Sequence, residues 1–397
     1  MHAMESTVAT NSNSEQSPIQ PSSPNAKERG RHAQRQKLHV LVVDDSAMVR
    51  QVMQAILQTD QRITVSTAAD PLIAGVKMQK EPPQVVITDL EMPRMDGLTF
   101  LRKIMTKSPI PVVVCSGFAA KGTELALRAL AEGAVEIITK PKLGVRDFLH
   151  ESAILLIDAV WSAAEARVVP RPRIQVTSRL SADAVLPLRT TSRDRNPCQG
   201  LIAVGASTGG TEALRVFLSA MPPNCPPIVV VQHMPENFTR AFAERLNQEC
   251  AIAVQEASDN VELRHGMAVI APGSLHCVVN NRGQNLVVNI IDGPLVSRHR
   301  PSVDVLFRSV AVSAGRSAVG ILMTGMGDDG AQGLLEMKET GAVTIAQDEA
   351  SCVVFGMPKE AISRGAVDFV LPLEQLARQA LDSLNATRKT RSTSASS

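Results

Sequence analysis

The chain has 397 residues, of which 44% are hydrophobic and 20% charged. That apolar share excludes a wholly disordered chain, and at about 150 residues per domain the length suggests two or three domains. A net charge of +2 provides no global field for nucleic acid or an anionic membrane, and 3% aromatics without Tyr leave no base-stacking platform.

Residues 1–37 are rich in Ser, Asn, Gln and Pro and turn basic near their end, the composition of a disordered tail. From residue 38 come short β-branched apolar runs, LHVLVV (38–43), QVVIT (84–88), PVVVC (111–115) and VEIIT (135–139), with a weaker run at 62–68. Such runs are expected of strands buried on both faces of a parallel sheet. Helical patterns separate them over Ala47–Leu57, Pro71–Gln79, Leu98–Met105, Glu124–Ala131 and Arg146–Ala159. Alternating strands and helices predict a doubly wound α/β domain over 38–164.

Residues 165–197, rich in Arg, Pro, Ser and Thr, read as a solvated, self-repelling connector. A second α/β block is predicted over 198–385. Its strands are LIAVG (201–205), IVVVQ (228–232), VGILMT (319–324) and VTIAQ (343–347), with helices over Glu212–Ala220, Thr239–Gln248 and Ala331–Glu339. In its middle, AVIAPG (268–273), CVVNN (277–281) and LVVNII (286–291) predict a strand-turn-strand insertion. Residues 386–397 read as a second disordered tail.

No apolar run is long enough to span a bilayer, and the polar start carries no secretory pattern. The six cysteines form no CxxC pair, so free thiols in a reducing cytoplasm are expected.

Chemistry-bearing residues of the first block fall at strand ends. Asp44 and Asp45 follow the first strand, Asp89 the third, Ser116 the fourth and Lys140 the fifth. Open α/β sheets build their sites on that edge. A lone Asp there is ordinarily a helix N-cap. Clustered carboxylates, however, repel unless a hard cation such as Mg²⁺ binds, and a Lys and a hydroxyl could stabilise a phosphoryl group.

VVDDS (42–46), TDLEMPRMDG (88–97), CSG (115–117) and TKP (139–141) resemble the receiver domain of response regulators. The resemblance implies a flavodoxin-like doubly wound fold in which Asp89 accepts phosphoryl from a histidine kinase. It implies that Asp44, Asp45, Asp89 and the Glu91 carbonyl hold Mg²⁺, and that Ser116 and Lys140 contact the phosphoryl group and couple to the output. Ile137 stands where such domains often carry an aromatic switch residue.

In the second block, GASTGG (205–210) joins a strand to a helix and exposes Ser207 at the helix N-terminus. It lacks the Gly-Lys-Ser/Thr of a Walker loop and the GxGxxG of a dinucleotide fold. His233 ends the second strand, and Asp328 and Asp329 follow the VGILMT strand. Singly, such a His or Asp is a polar cap. Together with Ser207 they compose a nucleophile, a base and an orienting acid. His265, His276 and His299 compete, and Asp259 with His276 or His299 would give another chain order. These fall in the predicted insertion and rank lower.

GASTGG, VVQHMP (230–235), APG (271–273), RPSVDVLF (300–307), LMTGMGDDGA (322–331) and VVFGMPKEA (353–361) resemble the catalytic domain of chemotaxis protein-glutamate methylesterases. The resemblance implies an α/β doubly wound esterase with Ser207 as nucleophile, His233 as base and acid, and Asp329 as the orienting acid, leaving Asp328 as a neighbouring cap. It implies oxyanion donors at Thr208 and Met326, and a substrate groove touching Arg300 and Met357. The implied substrates are glutamyl methyl esters of methylated chemoreceptors, with receptor glutamines as deamidation substrates. The implied control is release of a covering receiver on phosphorylation by a chemotaxis histidine kinase. Two other outputs are weighed. A DNA-binding output lacks a helix-turn-helix pattern, and a non-catalytic receptor adaptor would not need the Ser-His-Asp set.

Overall fold

The computed structural model describes residues 37–92, 95–117, 120–140, 146–168, 200–283 and 285–394. All but the last residue of the expected tail over 1–37 and most of the connector over 165–197 lie outside them.

Five strands, β1 (Leu38–Val43), β2 (Ile63–Ala68), β3 (Val85–Asp89), β4 (Val112–Ser116) and β5 (Glu136–Thr139), form a parallel sheet in the order β2-β1-β3-β4-β5. β3 and β4 are buried along their whole length, as expected of strands covered on both faces. The helices are α1 (Ala47–Leu57), α2 (Pro71–Lys80), α3 (Gly97–Lys107), α4 (Ala120–Ala131) and α5 (Arg146–Glu165). Three starts are set by local chemistry. Ser46 Oγ accepts from Val49 N, Asp70 Oδ1 from Leu72 N and Ile73 N, and Asp96 Oδ1 from Thr99 N.

The second sheet has seven parallel strands. β6 (Leu201–Ala206) lies at its centre, between β13 (Ala318–Leu322) and β7 (Ile228–Gln232). β14 (Val343–Gln347) and β15 (Phe369–Leu371) extend one side, and β10 (Met267–Ile270) and β8 (Ala253–Glu256) the other. Its helices are α6 (Gly210–Ser219), α7 (Phe238–Glu249), α8 (Val303–Ser313), α9 (Ala331–Glu339), α10 (Met357–Ser363) and α11 (Leu373–Ser394). A separate antiparallel sheet joins β11 (His276–Arg282), β12 (Asn285–Ile291) and β9 (Val261–Glu262).

Two expectations change. The run at 268–273 is not part of the insertion: β10 pairs in parallel with β7 and β8, and Ala268, Val269 and Ile270 are fully buried. A short apolar run has the same appearance in a core strand and in a hairpin, so periodicity could not separate them. The polar tail expected from 386 is helical, because α11 continues to Ser394. Among the described residues no helix is long and apolar enough to cross a membrane, and Cys115, Cys225, Cys250, Cys277 and Cys352 are free thiols.

The central strand leaves no room for side chains where α8 crosses it. A Cβ on Gly205 would stand 2.2 Å from Val303 Cγ1 and 3.1 Å from Leu322 Cδ1. Val303 is β-branched and stiff, and it opens the helix that positions the site described below. Gly205→Ala is therefore expected to lower stability by about 1–3 kcal/mol through overpacking, measured as a shift in the urea unfolding midpoint.

Candidate functional sites

Both sheets place chemistry at the point where strand order reverses. In the first, β1 and β3 diverge there, bringing Asp44, Asp45 and Asp89 together with ligand oxygens within 4.8 Å of one another. Asp44 and Asp89 are buried and Asp45 is exposed. Lys140, just beyond β5, reaches across with Nζ 2.7 Å from Asp89 Oδ2 and 3.0 Å from Asp44 Oδ2. Burial pushes the Asp44 carboxyl up against the pull of Lys140. Burial alone would lower the Lys140 ammonium, but its bonds to Asp89 and Asp44 outweigh that and hold it above its usual range. Ser116 is buried at the end of β4, and its carbonyl accepts from Lys140 N. Asp89 Oδ1 accepts from Leu90 N at 2.7 Å and Glu91 N at 3.3 Å, which fixes the carboxylate against the turn. Three hard oxygen donors, one open to solvent, fit a small divalent cation that keeps several waters.

The second site is built on β6, β7 and the segment after β13. Ser207 follows β6, in a turn closed by Gly209 at φ +77°, a left-handed conformation that glycine adopts without strain. Ser207 N donates to Thr324 O, and the Gln232 amide Nε2 donates to Ser207 O and His233 O. His233 follows β7, with its own N–H donating to Ala206 O. The Ser207 turn and the histidine are thus tied together through neighbouring strands.

Asp329 lies in the loop after β13. Gly330 beside it has φ +90°, and a Cβ there would meet Val303 Cγ1 at 2.6 Å. The Asp329 carboxylate is buried and takes four hydrogen bonds. His233 Nε2 is 2.8 Å away, Ser302 Oγ 2.7 Å, Val303 N 2.7 Å and Asp304 N 3.0 Å. The last two are amides of the first turn of α8, so a helix N-terminus faces the charge. Burial would raise this carboxyl, but the bonds from His233, Ser302 and the α8 amides hold it below the usual range. An ionised Asp329 can only accept a hydrogen bond, from Nε2–H, and thereby assigns the His233 tautomer. The Nδ1 lone pair is left free, and that atom has no hydrogen-bond partner among the described residues.

Asp328 neither bonds His233 nor caps α9 through its side chain. Its Oδ2 pairs with Arg364 Nη2 at 2.9 Å at the surface, and α9 starts at Gly330 without a side-chain cap. Met357 does not reach the cavity: it is fully buried, and its Sδ lies 2.3 Å from the place of a Cβ on Gly325. Arg300 does line the cavity, with Nη1 donating to Gly293 O. Thr208 and Met326 line the cavity, whereas Gly325 N is bonded to Val354 O.

The competing histidines have other tasks. His276 is buried, with Nε2 against Pro294 O and Nδ1 accepting from Ser302 N, so it supports the residue that holds Asp329. His265 is exposed near Asn224 O, and Asp259 accepts from Asn289 and Ile290 N on the outer sheet. His299 does reach the site. Its ring stacks on that of His233 with centroids 3.7 Å apart and planes 12° apart. Burial first, and the neighbouring His233 second, push the His299 imidazole well below its usual range and favour its neutral form.

Sequence reading did not find Ser302, although a Ser before the periodic run VDVLFRSVAVS is an N-cap signature. Nor did it find Glu136 and Asp158. These two carboxylates of the first domain line the same cavity of about 290 Å³ as Ser207, Thr208, His233 and His299. Thr208 Oγ1 donates to Glu136 Oε2 at 2.7 Å and accepts from Ser162 Oγ at 2.5 Å. Arg298 Nη1 lies 3.2 Å from Asp158 Oδ1. Ile137, at the position of the missing aromatic switch residue, is buried in this wall. The first domain therefore covers the Ser207 site.

The family described as CheB methylesterase matches residues 202–380, and the response regulator receiver domain family matches 40–149. The chain is 56% identical over 349 residues to protein-glutamate methylesterase/protein-glutamine glutaminase 3 of Geobacter metallireducens, covering 87% of this chain and 98% of that protein. It is 55% identical over 348 residues to protein-glutamate methylesterase/protein-glutamine glutaminase 1 of Photobacterium profundum, covering 86% and 99%. Among solved structures, the Thermotoga maritima CheB methylesterase catalytic domain is 35% identical, with a TM-score of 0.45, covering 46% of this chain and 97% of that one.

Proposed function

The chain belongs to the receiver-linked CheB methylesterase family, and from that premise we propose that it hydrolyses glutamyl methyl esters on chemoreceptors under control of its own receiver domain. The observation that carries the reading is the His233–Asp329 pair, whose histidine lines one cavity with Ser207 and has a free Nδ1.

Ser207 Oγ attacks the ester carbonyl carbon while His233 Nδ1 takes its proton. Asp329 fixes the tautomer and stabilises the imidazolium. The amides of Thr208 and Met326 receive the developing oxyanion. Collapse breaks the C–O bond, and His233 returns the proton so that methanol leaves and an acyl-serine remains. Water then attacks with its proton passing to His233, and the glutamate carboxylate and free Ser207 are released. A glutamine side chain would follow the same path with ammonia leaving, which is the glutaminase activity. Arg300 borders the substrate groove.

In the receiver we propose that Asp89 takes the phosphoryl group from a chemotaxis histidine kinase. Asp44, Asp45, Asp89 and the Glu91 carbonyl would hold Mg²⁺, which would supply charge neutralisation for transfer. Ser116 and Lys140 would take the phosphoryl oxygens. The proposed extents are 38–164 for the receiver and 198–385 for the esterase, joined by 165–197, with the protein working in the cytoplasm. Methanol release from methylated receptors tests the reading. Ser207→Ala should abolish turnover in a folded protein, and a native rate in that variant would overturn it.

A further inference from the structure

The receiver wall over the esterase cavity is not apolar at two points where an apolar cover would be cheaper to bury. Glu136 and Asp158 both enter it as carboxyl groups; burial pushes each of them up, and Asp158 adds a smaller push to Glu136. Each is met by a complementary group of the esterase: Glu136 by the Thr208 hydroxyl, Asp158 by the Arg298 guanidinium. The groove beneath the receiver is thus furnished for two negative groups. One matches the reaction proposed above, whose product is a glutamate carboxylate beside Ser207. The second has no counterpart in that reaction.

Arg298 is held in place for such a task. Val296 and His299 pair across a tight turn, with Ser297 at φ 50° and Arg298 at φ 67°. His299, the next residue, stacks on the catalytic ring. The backbone of Arg298 is therefore anchored one residue from a side chain that is stacked on His233. Its side chain is 67% exposed even with the receiver in place, so it needs little rearrangement to meet another partner.

We propose that Arg298 is a specificity-determining residue, which in the uncovered groove binds an acidic side chain of the substrate segment flanking the glutamyl ester. Asp158 occupies that subsite while the receiver covers it. This rests on the esterase reading. Substrates that carry a carboxylate at the matching position bind better, and the receiver competes for the same cation.

The test uses the full-length protein with phosphodonor and helical peptides bearing one glutamyl methyl ester. Acidic residues one, three and four positions to either side are replaced in turn by Ala or Lys. At one position the native enzyme should show a KM about fivefold lower for the acidic peptide than for the Ala peptide, the upper range for a partly exposed ion pair. Arg298→Ala should bring the two to equal KM, and Arg298→Glu should prefer the Lys peptide there. Equal KM across all native peptides, or discrimination that survives in Arg298→Ala, overturns the proposal. No methanol from any peptide or from methylated receptors would instead sink the esterase reading beneath it.

Discussion

Asp329→Asn is expected to cut kcat for ester hydrolysis by about 10⁴-fold with the fold retained, the scale seen when a triad carboxylate becomes an amide. The reason is the hydrogen-bond set. Four donors converge on this carboxylate, and one of them is His233 Nε2. An amide cannot accept from all four, and it turns an N–H toward one of them. The histidine then loses the partner that keeps its proton on Nε2, so Nδ1 no longer offers its lone pair to Ser207. The positive charge on the imidazolium also loses its counter-ion in a buried site. Asp328→Asn serves as the control. It removes one surface pair with Arg364, worth at most about 1 kcal/mol, and should leave kcat within about twofold. Comparable losses in the two variants, measured by methanol release, would reject the choice of Asp329.

Asp89→Asn is expected to remove all of the acceleration that a small phosphodonor with Mg²⁺ gives the native enzyme. Phosphorylation replaces the single negative charge of the Asp89 carboxylate with an acyl phosphate of close to two, where Lys140 now bridges Asp89 and Asp44. Lys140 must follow the new oxygens. It directly follows β5, the strand that begins at Glu136, whose carboxyl group accepts from Thr208 beside Ser207. Four residues of extended chain, about 13 Å, thus join the phosphorylation site to the oxyanion turn. A shift of β5 loosens the Thr208 contact, and with it the cover that α5 maintains through Ser162 and Asp158. Equal acceleration in the native and Asp89→Asn proteins, with phosphorylation of the native protein verified by mass, would refute this coupling.

Much of this was legible along the chain because buried parallel strands write themselves as uninterrupted β-branched runs. β1, β7 and β14 have the bounds that their apolar runs suggested, and α1 and α9 those of their helical periodicity. The strands at 253–256 and 369–371 escaped notice because they lie at sheet edges, where half-exposed residues such as Phe369 and Val370 blur the pattern. Helix α8 escaped because its cap, Ser302, was read as part of a motif and not as a helix start. Met357 was assigned to the groove from its motif alone. In the fold it fills the core beneath Gly325, where a thioether adapts to an irregular gap.

By itself the sequence determined which groups stand at the carboxyl ends of strands, because local hydrophobic patterning places strand ends to within a residue or two. It therefore supplied Asp44, Asp89 and Lys140 for one site and Ser207, His233 and an aspartate for the other. Only the tertiary structure decided which of them meet. β6 lies between β7 and β13, and that order, which depends on crossover connections and not on local pattern, brings residues 207, 233 and 329 to one edge. It also turns Asp329 toward the α8 amides and leaves Asp328 at the surface, a difference that one peptide step and a left-handed Gly330 produce. The contacts of Glu136 with Thr208 and of Asp158 with Arg298 join residues 72 and 140 positions apart. They arise from two folded surfaces meeting, so no local pattern in the chain encodes them.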